Sequence, residues 1–578
     1  MAYDAAPSSR AGLHKRAKKW KERSDSAFRN QSRWLNMWQQ LAEIFSPELA
    51  SFYSDISDPA SMYVGLFTSK PQVMARTLAE RIGSMTRAKG EQWFKLVAYP
   101  EELMERDDIK QWCEDSTLRQ RNVLYSATSM FTVAMAMADK QYAVFGNSVV
   151  RYAYNSKRTG LFFQNVHLRD CAWEESSEGI VNVMHERMRP MISQLTELFA
   201  KEDLPREWRE KLDKPGSQNE RVEIRRCIGP ADTYQYEDGE PKPRRTAKFV
   251  SIYMACGVQD AEIGLREEFL DHFPYSVRRW MRMPNESIAI SPAAAMALAD
   301  GNTLNQAEAA ALKGIEFTAD PALTAPDDGF IGEVRIQSGA MLYRNVDFDH
   351  RQQGDFIQAV PGGEAKTVLE YIAIKGMEMG KAFFNELLQM PDREMTLGEF
   401  RQRFKNALRD AAPVFEPIEA DYSQFMDGVF SLILNAHFQP APGTGEGPRY
   451  GGFLPPPEDL EGDRTRFEFL TALSEAFTEL KRREALEVTE QYGRLVELQS
   501  DAADHIDMDE VTRDSLGNFK TKWTRPRDAV EKRRATRAES QAQEAAEEKA
   551  GAAAELAARA NPENVRMLNQ ALQEQGAA

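Results

Sequence analysis

An α+β fold dominated by helices and divided over several domains is what this 578-residue chain predicts. The length exceeds the roughly 250 to 300 residues at which a single core stops growing. Helical hydrophobic spacing fills long stretches near both ends and in the middle. Between residues 142 and 258, short β-branched and aromatic runs are punctuated by Gly, Asn and Pro. With 9 tryptophans and 30 phenylalanines there is enough apolar side chain to fill real cores, which argues against wholesale disorder.

The elements follow in order. MAYDAAPSSR lacks the apolar core of a secretion signal, and the basic run His14 to Arg23 reads as the solvated face of a first helix, with contact to nucleic acid as the other reading. No stretch approaches roughly 18 uninterrupted apolar residues, so a soluble protein made in a cytoplasm is expected, with no membrane partner. Met74, Leu78, Ile82 and Met85 recur at helical spacing before Gly90, with Trp93 and Phe94 as core anchors. The runs at 142–155, 160–168, 179–188 and 248–258 read as strands, and PMISQLTELFA as a helix with Pro190 in its first turn.

From Ser291 a long alanine-rich helix carries Leu304, Ala307, Ala311, Leu312 and Ile315 on one face, weakened at Gly301. Prolines, glycines and short β-like runs then mark a small lobe. A second long helix, Glu364 to Phe384, has a stripe of Val368, Leu369, Ile372, Met379 and Phe383, with Gly376 and Gly380 on nearby faces. After a helical region bent at Pro413 and Pro417, the Gly/Pro-rich residues 439–459 form a linker, and helix dominates what lies beyond.

Catalytic signatures are missing from the sequence. There is no phosphate-binding G-x-x-x-x-G-K-[ST] loop, and Gly443, Gly445 and Gly447 sit among prolines in the linker. The seven histidines have no metal-ligand spacing, and Cys113, Cys171, Cys227 and Cys256 form no C-x-x-C pair, so no metal, cofactor or disulfide is assigned. The acidic run 501–510 lacks the glycine and spaced glutamate of a calcium loop. A net charge of −16 opposes general affinity for phosphate backbones. These observations favour assembly or binding over catalysis.

The order of segments resembles the portal, or head-to-tail connector, proteins of short-tailed bacteriophages. The resemblance runs through ARTLAERIGSM and WFKL, YAVFGNSVVRY, GIVNVMHERM and FPYSVRRW to SPAAAMALAD with TLN at 303–305, then REMTLGEFRQR, DHIDMDEVTRDSL and VEKRRATRAESQAQ. It departs at NESIAISP, which keeps Glu286 and Pro292 but lacks the family's glycines and leaves the turn at 285–292 open.

What the resemblance implies is a non-enzymatic, portal-type subunit with wing, stem, clip and crown. About twelve copies would form a ring at one capsid vertex of the virion, through which double-stranded DNA is packaged and ejected. The N-terminal region and wing would span 1–290, the first stem helix 291–317, the clip 318–363 and the second stem helix 364–384. A tunnel loop at 385–396, a wing helix at 397–438, the linker and a helical crown and tail at 460–578 complete it. Leu304, Leu312, Ile372, Gly376 and Gly380 are the expected stem-packing residues. The partners would be a terminase packaging motor, tail adaptors, and capsid and scaffold proteins. A dozen copies would carry on the order of two hundred net negative charges, which suits a channel that lets DNA slide.

The tunnel loop is interrupted on both sides. Pro391 cannot continue the preceding helix, and Thr396 with Glu399 has capping-box spacing for a new one. An ordinary helix-loop-helix connection accounts for the same pattern. In the portal reading Gln389, Met390, Pro391, Asp392, Arg393 and Glu394 would meet the passing DNA. The competing functions are a magnesium-dependent nucleic-acid-processing enzyme using carboxylates at 501–510, and an elongated helical scaffold or adaptor.

Overall fold

The computed structural model describes residues 10–55, 58–88, 90–155, 160–232, 248–259, 263–326, 338, 340–344, 358–359, 365–384, 417–434, 437–438, 449–450, 457, 460, 465–470, 527–560 and 566–567. The chain divides into two units, 1–97 with 113–479, and 98–112 with 480–578. In the second, the described side chains of the final helix Arg527–Ala560 are exposed apart from the half-buried Val530, as its Glu, Arg and Ala content dictates. All that follows concerns the first unit. Among the described residues no helix is long and apolar enough to cross a membrane.

Helix α1, Arg10–Phe45, begins the unit. Its inner face places Leu13, Ala17 and Trp20 against Val183, Cys227, Val250, Ile252 and Phe269 of a β-sheet. The basic run is therefore not wholly solvated. Arg16 is buried and pairs with Glu267 through two hydrogen bonds of 2.9 and 3.2 Å, a bidentate geometry that offsets desolvation. Helices α2 (Lys70–Thr86), α3 (Asp107–Leu124, in this unit from Cys113 on) and α4 (Phe131–Phe145) follow, with β1 (Phe94–Ala98, in this unit up to Val97) after α2. Trp93 and Phe94 are buried as expected.

Two antiparallel sheets come next. One has the order β3-β2-β9, from β2 (Asn147–Tyr154), β3 (Leu161–Val166) and β9 (Tyr275–Arg279). The other runs β4-β5-β6-β7-β8, from β4 (Cys171–Glu175), β5 (Val181–Met188), β6 (Ile224–Pro230), β7 (Phe249–Ala255) and β8 (Gly264–Leu270). Residues 142–145, expected as strand, belong instead to α4, because Gly146 at φ +73° ends that helix and turns the chain into β2. The PMISQLTELFA segment makes only a 3-10 turn and the four-residue helix α5, Leu195–Leu198, followed by α6, Arg206–Leu212. Together these cap one end of the larger sheet through Ile192, Leu195, Phe199 and Trp208.

The open turn at 285–292 is closed by Asn285, whose φ of +61° supplies the left-handed residue that a glycine would otherwise provide. It joins the short strands β10 (Met281–Arg282) and β11 (Ala289–Ile290), which pair antiparallel. Asn147 then acts as a side-chain strand partner, accepting from the Ala289 N–H at 2.9 Å and donating to its carbonyl at 2.6 Å. Ser291 caps helix α7, Pro292–Ala319, by accepting from Ala294 N at 3.2 Å while its hydroxyl donates to the Ala143 carbonyl at 2.6 Å. A Cβ on Gly146 would lie 2.1 Å from the Ile290 backbone, so the glycine is what lets the start of α7 dock on the α4–β2 junction.

Helix α7 continues through Gly301 without interruption, about 42 Å for its 28 residues. The glycine marks a close approach rather than a weak point, since its Cβ would meet Ile44 Cγ2 at 2.8 Å. Strands β12 (Leu323–Pro326), β13 (Met341–Arg344) and β14 (Gln358–Ala359) form a three-stranded sheet with β12 central. Helix α8 is Ala365–Ala382, and residues 417–434 form a further helix, α9. Strands β15 (His437–Phe438), β16 (Arg449–Tyr450) and β17 (Thr465–Phe469) complete the unit.

Candidate functional site

Helices α7, α8 and α2 pack together. Lys375 on α8 bridges to Asp300 on α7 at 3.2 Å, and Lys70 on α2 reaches Glu308 at 3.3 Å. Asn305, within the TLN motif, accepts from Phe67 N at 2.7 Å and donates to the Gly65 carbonyl at 2.9 Å. Leu304 and Ile372 are buried. Gly376 and Gly380 face α2, where added Cβ atoms would make ordinary contacts with Lys70 and Met74 at 3.9 and 3.8 Å.

Leu312 lies elsewhere: it is 47% exposed, and so is Ile315. On α8, Tyr371, Ile374 and Met377 are exposed at i, i+3 and i+6, with Ile374 at 53% and Met377 at 58%. Leu369 is exposed beside them in sequence. The helix pair thus has a packed inner side, and each helix also presents large apolar side chains to its surroundings. Hydrophobic spacing in the sequence marked both kinds of position alike.

Gln389, Met390, Pro391, Asp392, Arg393 and Glu394 lie outside the described residues. The chain on either side of 385–416 is described, and both sides are rooted in one place. Phe384, at φ +55°, sets its ring 6.3 Å from that of Trp280, which stacks on Tyr142 at 5.2 Å. On α9, Asp421 accepts from the Arg279 backbone N–H at 3.0 Å. Its neighbour Tyr422 takes hydrogen bonds from Arg87 and, at 3.4 Å, from Arg278.

Between the two arginines sits Asp139 of α4, hydrogen-bonded to Arg278 at 2.7 Å and also to Arg87. Arg278 is 1% exposed and Asp139 2%. The Arg278 guanidinium also reaches Ser148 at 3.0 Å and lies 5.5 Å from the Tyr142 ring centre. Gly428 lets α9 lie on Tyr152, since a Cβ there would meet the Tyr152 hydroxyl at 2.1 Å. In the sequence FPYSVRRW stands out only as a family motif. Two arginines inside a β-like run could have been read as interior only with the matching buried acid in view, and Asp139 is distant in sequence.

Burial pushes the Asp421 carboxyl up to about 6, outweighing the Arg279 N–H and the nearby arginines that favour its charge. A carboxyl raised in the folded state stabilises the fold fully below the unfolded value near 4, and that contribution is lost as pH rises through about 6. Asp421→Asn is therefore expected to flatten the melting-temperature profile between pH 4 and 6 and to raise the melting point at pH 7.5. Calorimetry across that range is the check, and an unchanged profile would remove Asp421 as its cause.

Among the described residues no group of His, Cys, Asp and Glu is placed to hold a metal ion. All four cysteines are free thiols, and burial pushes Cys113 and Cys227 up to about 12. His185 does lie between Cys227 at 3.1 Å and Glu174 at 3.0 Å. That resembles a nucleophile relay in geometry, but it is sealed in the core, where a thiol at such a value is inert.

The first unit is thus a mixed α+β body of two antiparallel sheets with the packed helices α2, α7 and α8. Residues 17–519 match the family of bacteriophage head to tail connecting proteins, and the chain belongs to that family. The portal protein of Salmonella phage epsilon15 is 21% identical over 487 residues, covering 82% of each chain. Among solved structures, a chain in the virion of a native gene transfer agent particle is 11% identical with a TM-score of 0.34. A chain in the neck of an empty particle of the same kind is 10% identical with a TM-score of 0.32. Each covers 80% of this chain and 94% of the other.

Proposed function

We propose that this protein is the portal subunit of a short-tailed phage and that about twelve copies form the ring-shaped DNA conduit at one vertex of the capsid. The observation that supports the ring best is the set of exposed apolar side chains on α7 and α8: Leu312, Ile315, Leu369, Tyr371, Ile374 and Met377. Half-exposed aliphatic side chains gathered on two packed helices are costly in water, and covering each would contribute roughly 1 kcal/mol or more. A second copy related by a ring's rotation is the cover that this reading supplies.

In this reading α7 and α8 are the stem, the β12–β13–β14 lobe between them the clip, and the residues before α7 most of the wing. Helix α9 belongs to the wing, and the residues after the linker form the crown and tail. The protein conducts DNA and performs no catalysis. The clip receives a terminase packaging motor during filling and tail adaptors afterwards, while the outer wing meets capsid and scaffold proteins.

Residues 385–396 are proposed as the tunnel loop that touches DNA. The anchoring of the preceding segment, where Phe384 meets Trp280 beside the Arg278–Asp139 pair, supports this, because a loop that feels moving DNA needs a rigid base. Deleting Gln389 to Glu394 is expected to leave ring assembly intact by negative-stain imaging while DNA packaged per particle falls at least tenfold. Loss of the ring itself would assign the segment to the fold.

A further inference from the structure

A cavity of about 1130 Å³ opens between the two sheets of the first unit, on the face of the larger sheet away from α1, and neither the connector fold nor the conduit role uses it. Its floor is one cross-strand row. Glu186 lies opposite Arg226, Arg226 opposite Tyr253, and Tyr253 opposite Arg266. Tyr253 is held between two guanidiniums, with Arg226 at 5.1 Å and Arg266 at 5.3 Å from its ring centre, and Arg226 lies 5.7 Å from the Tyr275 ring. Arg226 is 6% exposed. Its Nε donates to Ser251 at 3.1 Å and its Nη1 to the Tyr275 hydroxyl at 3.4 Å.

The neighbouring acid is already committed. Glu186 takes Arg151 at 2.9 Å and the Tyr275 hydroxyl at 2.5 Å. Among the described residues no carboxylate oxygen lies within 4 Å of the Arg226 guanidinium, and its Nη2 has no acceptor. An arginine buried this deeply ordinarily has an anionic partner, because desolvating a guanidinium is costly unless its donors are met. Arg226 instead lines a cavity wide enough for a ligand, with its plane fixed by two tyrosines and its outer donors open.

We propose that this cavity binds a carboxylate group, received by Arg226 with Arg266 at the rim. A carboxylate matches the flat guanidinium fork. A phosphate dianion fits less well, because five arginines and five carboxylates line the space and leave it balanced rather than basic. The carboxylate arrives either on an acidic protein segment or as a free small molecule, and the experiment separates these sources.

Binding to the assembled protein is measured by ligand-observed NMR with N-acetyl-aspartate amide, its N-acetyl-asparagine amide counterpart, and a neutral ten-residue peptide carrying one central aspartate. The aspartate probe is expected to bind saturably and at least tenfold more tightly than the asparagine probe. Arg266→Ala, a rim change in a side chain that is 44% exposed and pairs with Glu268, should weaken it several-fold in a protein that still folds. Arg226→Met should abolish it. If that variant does not fold, the Arg266→Ala result together with the aspartate-to-asparagine ratio decides. A peptide tenfold tighter than the capped amino acid identifies a protein segment as the source, and equal affinities identify a free carboxylate. Equal binding of the two amides, no binding of either, or binding indifferent to Arg266→Ala overturns the site.

Discussion

Ile374→Asp combined with Met377→Asp on α8 is expected to yield a folded subunit that no longer assembles into rings. The two side chains are more than half exposed in the single chain, so the charges replace apolar surface in water and disturb no packing. In a ring the same positions would be covered by a neighbour, and each carboxylate would then be desolvated without a partner. That costs several kcal/mol per contact, repeated at every interface of the ring. Native mass spectrometry should show the shift from ring to monomer, with the melting point of the monomeric variant within about 3 °C of an unassembled natural subunit. Lys381→Asp, on an exposed part of the same helix that already carries charge, is the control and should assemble normally. Rings formed equally well by the double variant would remove α8 from the subunit contact and leave the exposed side chains to some other cover.

Periodicity in the sequence told which residues share a helix face but not what covers it. The stripe Val368, Leu369, Ile372, Met379 and Phe383 joins side chains of two fates: Ile372, Met379 and Phe383 are buried within the chain, and Leu369 stays exposed. Leu304 and Leu312 divide in the same way. Strands β2, β3, β5 and β7 were legible because valine, isoleucine and aromatic residues alternate there. Strands β4, β6 and β8 were missed, since CAWEE, IRRCIGP and GLREEFL carry arginines and glutamates through the middle of a strand. Two of those charges, Arg226 and Glu267, are interior for reasons that only the fold supplies: Arg16 meets Glu267, and Arg226 faces a cavity. The interruption expected at Pro391 rests on local turn chemistry alone and lies outside the described residues. The cluster that holds Phe384 and α9 was not legible, because its members are scattered from Arg87 to Tyr422.

That cluster supports the second large effect. Asp139→Ala is expected to lower the stability of the first unit by roughly 3 to 5 kcal/mol, because Arg87 and Arg278 would remain buried without their shared counter-charge. At about 2 to 4 °C per kcal/mol for a domain of this order of size, the melting point should fall by roughly 10 °C. Asp139→Asn keeps an acceptor for one arginine and should fall between the variant and the natural protein. Pairing Asp139→Ala with Arg278→Met removes one of the two uncompensated charges along with the acid, so the double variant should be more stable than the sum of the two single changes by about 2 kcal/mol. Strict additivity would mean that Arg278 finds water once Asp139 is gone, and the cluster would then be a surface feature rather than an anchor. Because Tyr422 and Trp280 belong to the same cluster, Asp139→Ala should also speed proteolysis between 385 and 416 in intact rings. The Asp421→Asn variant, which removes a buried charge without orphaning an arginine, should not.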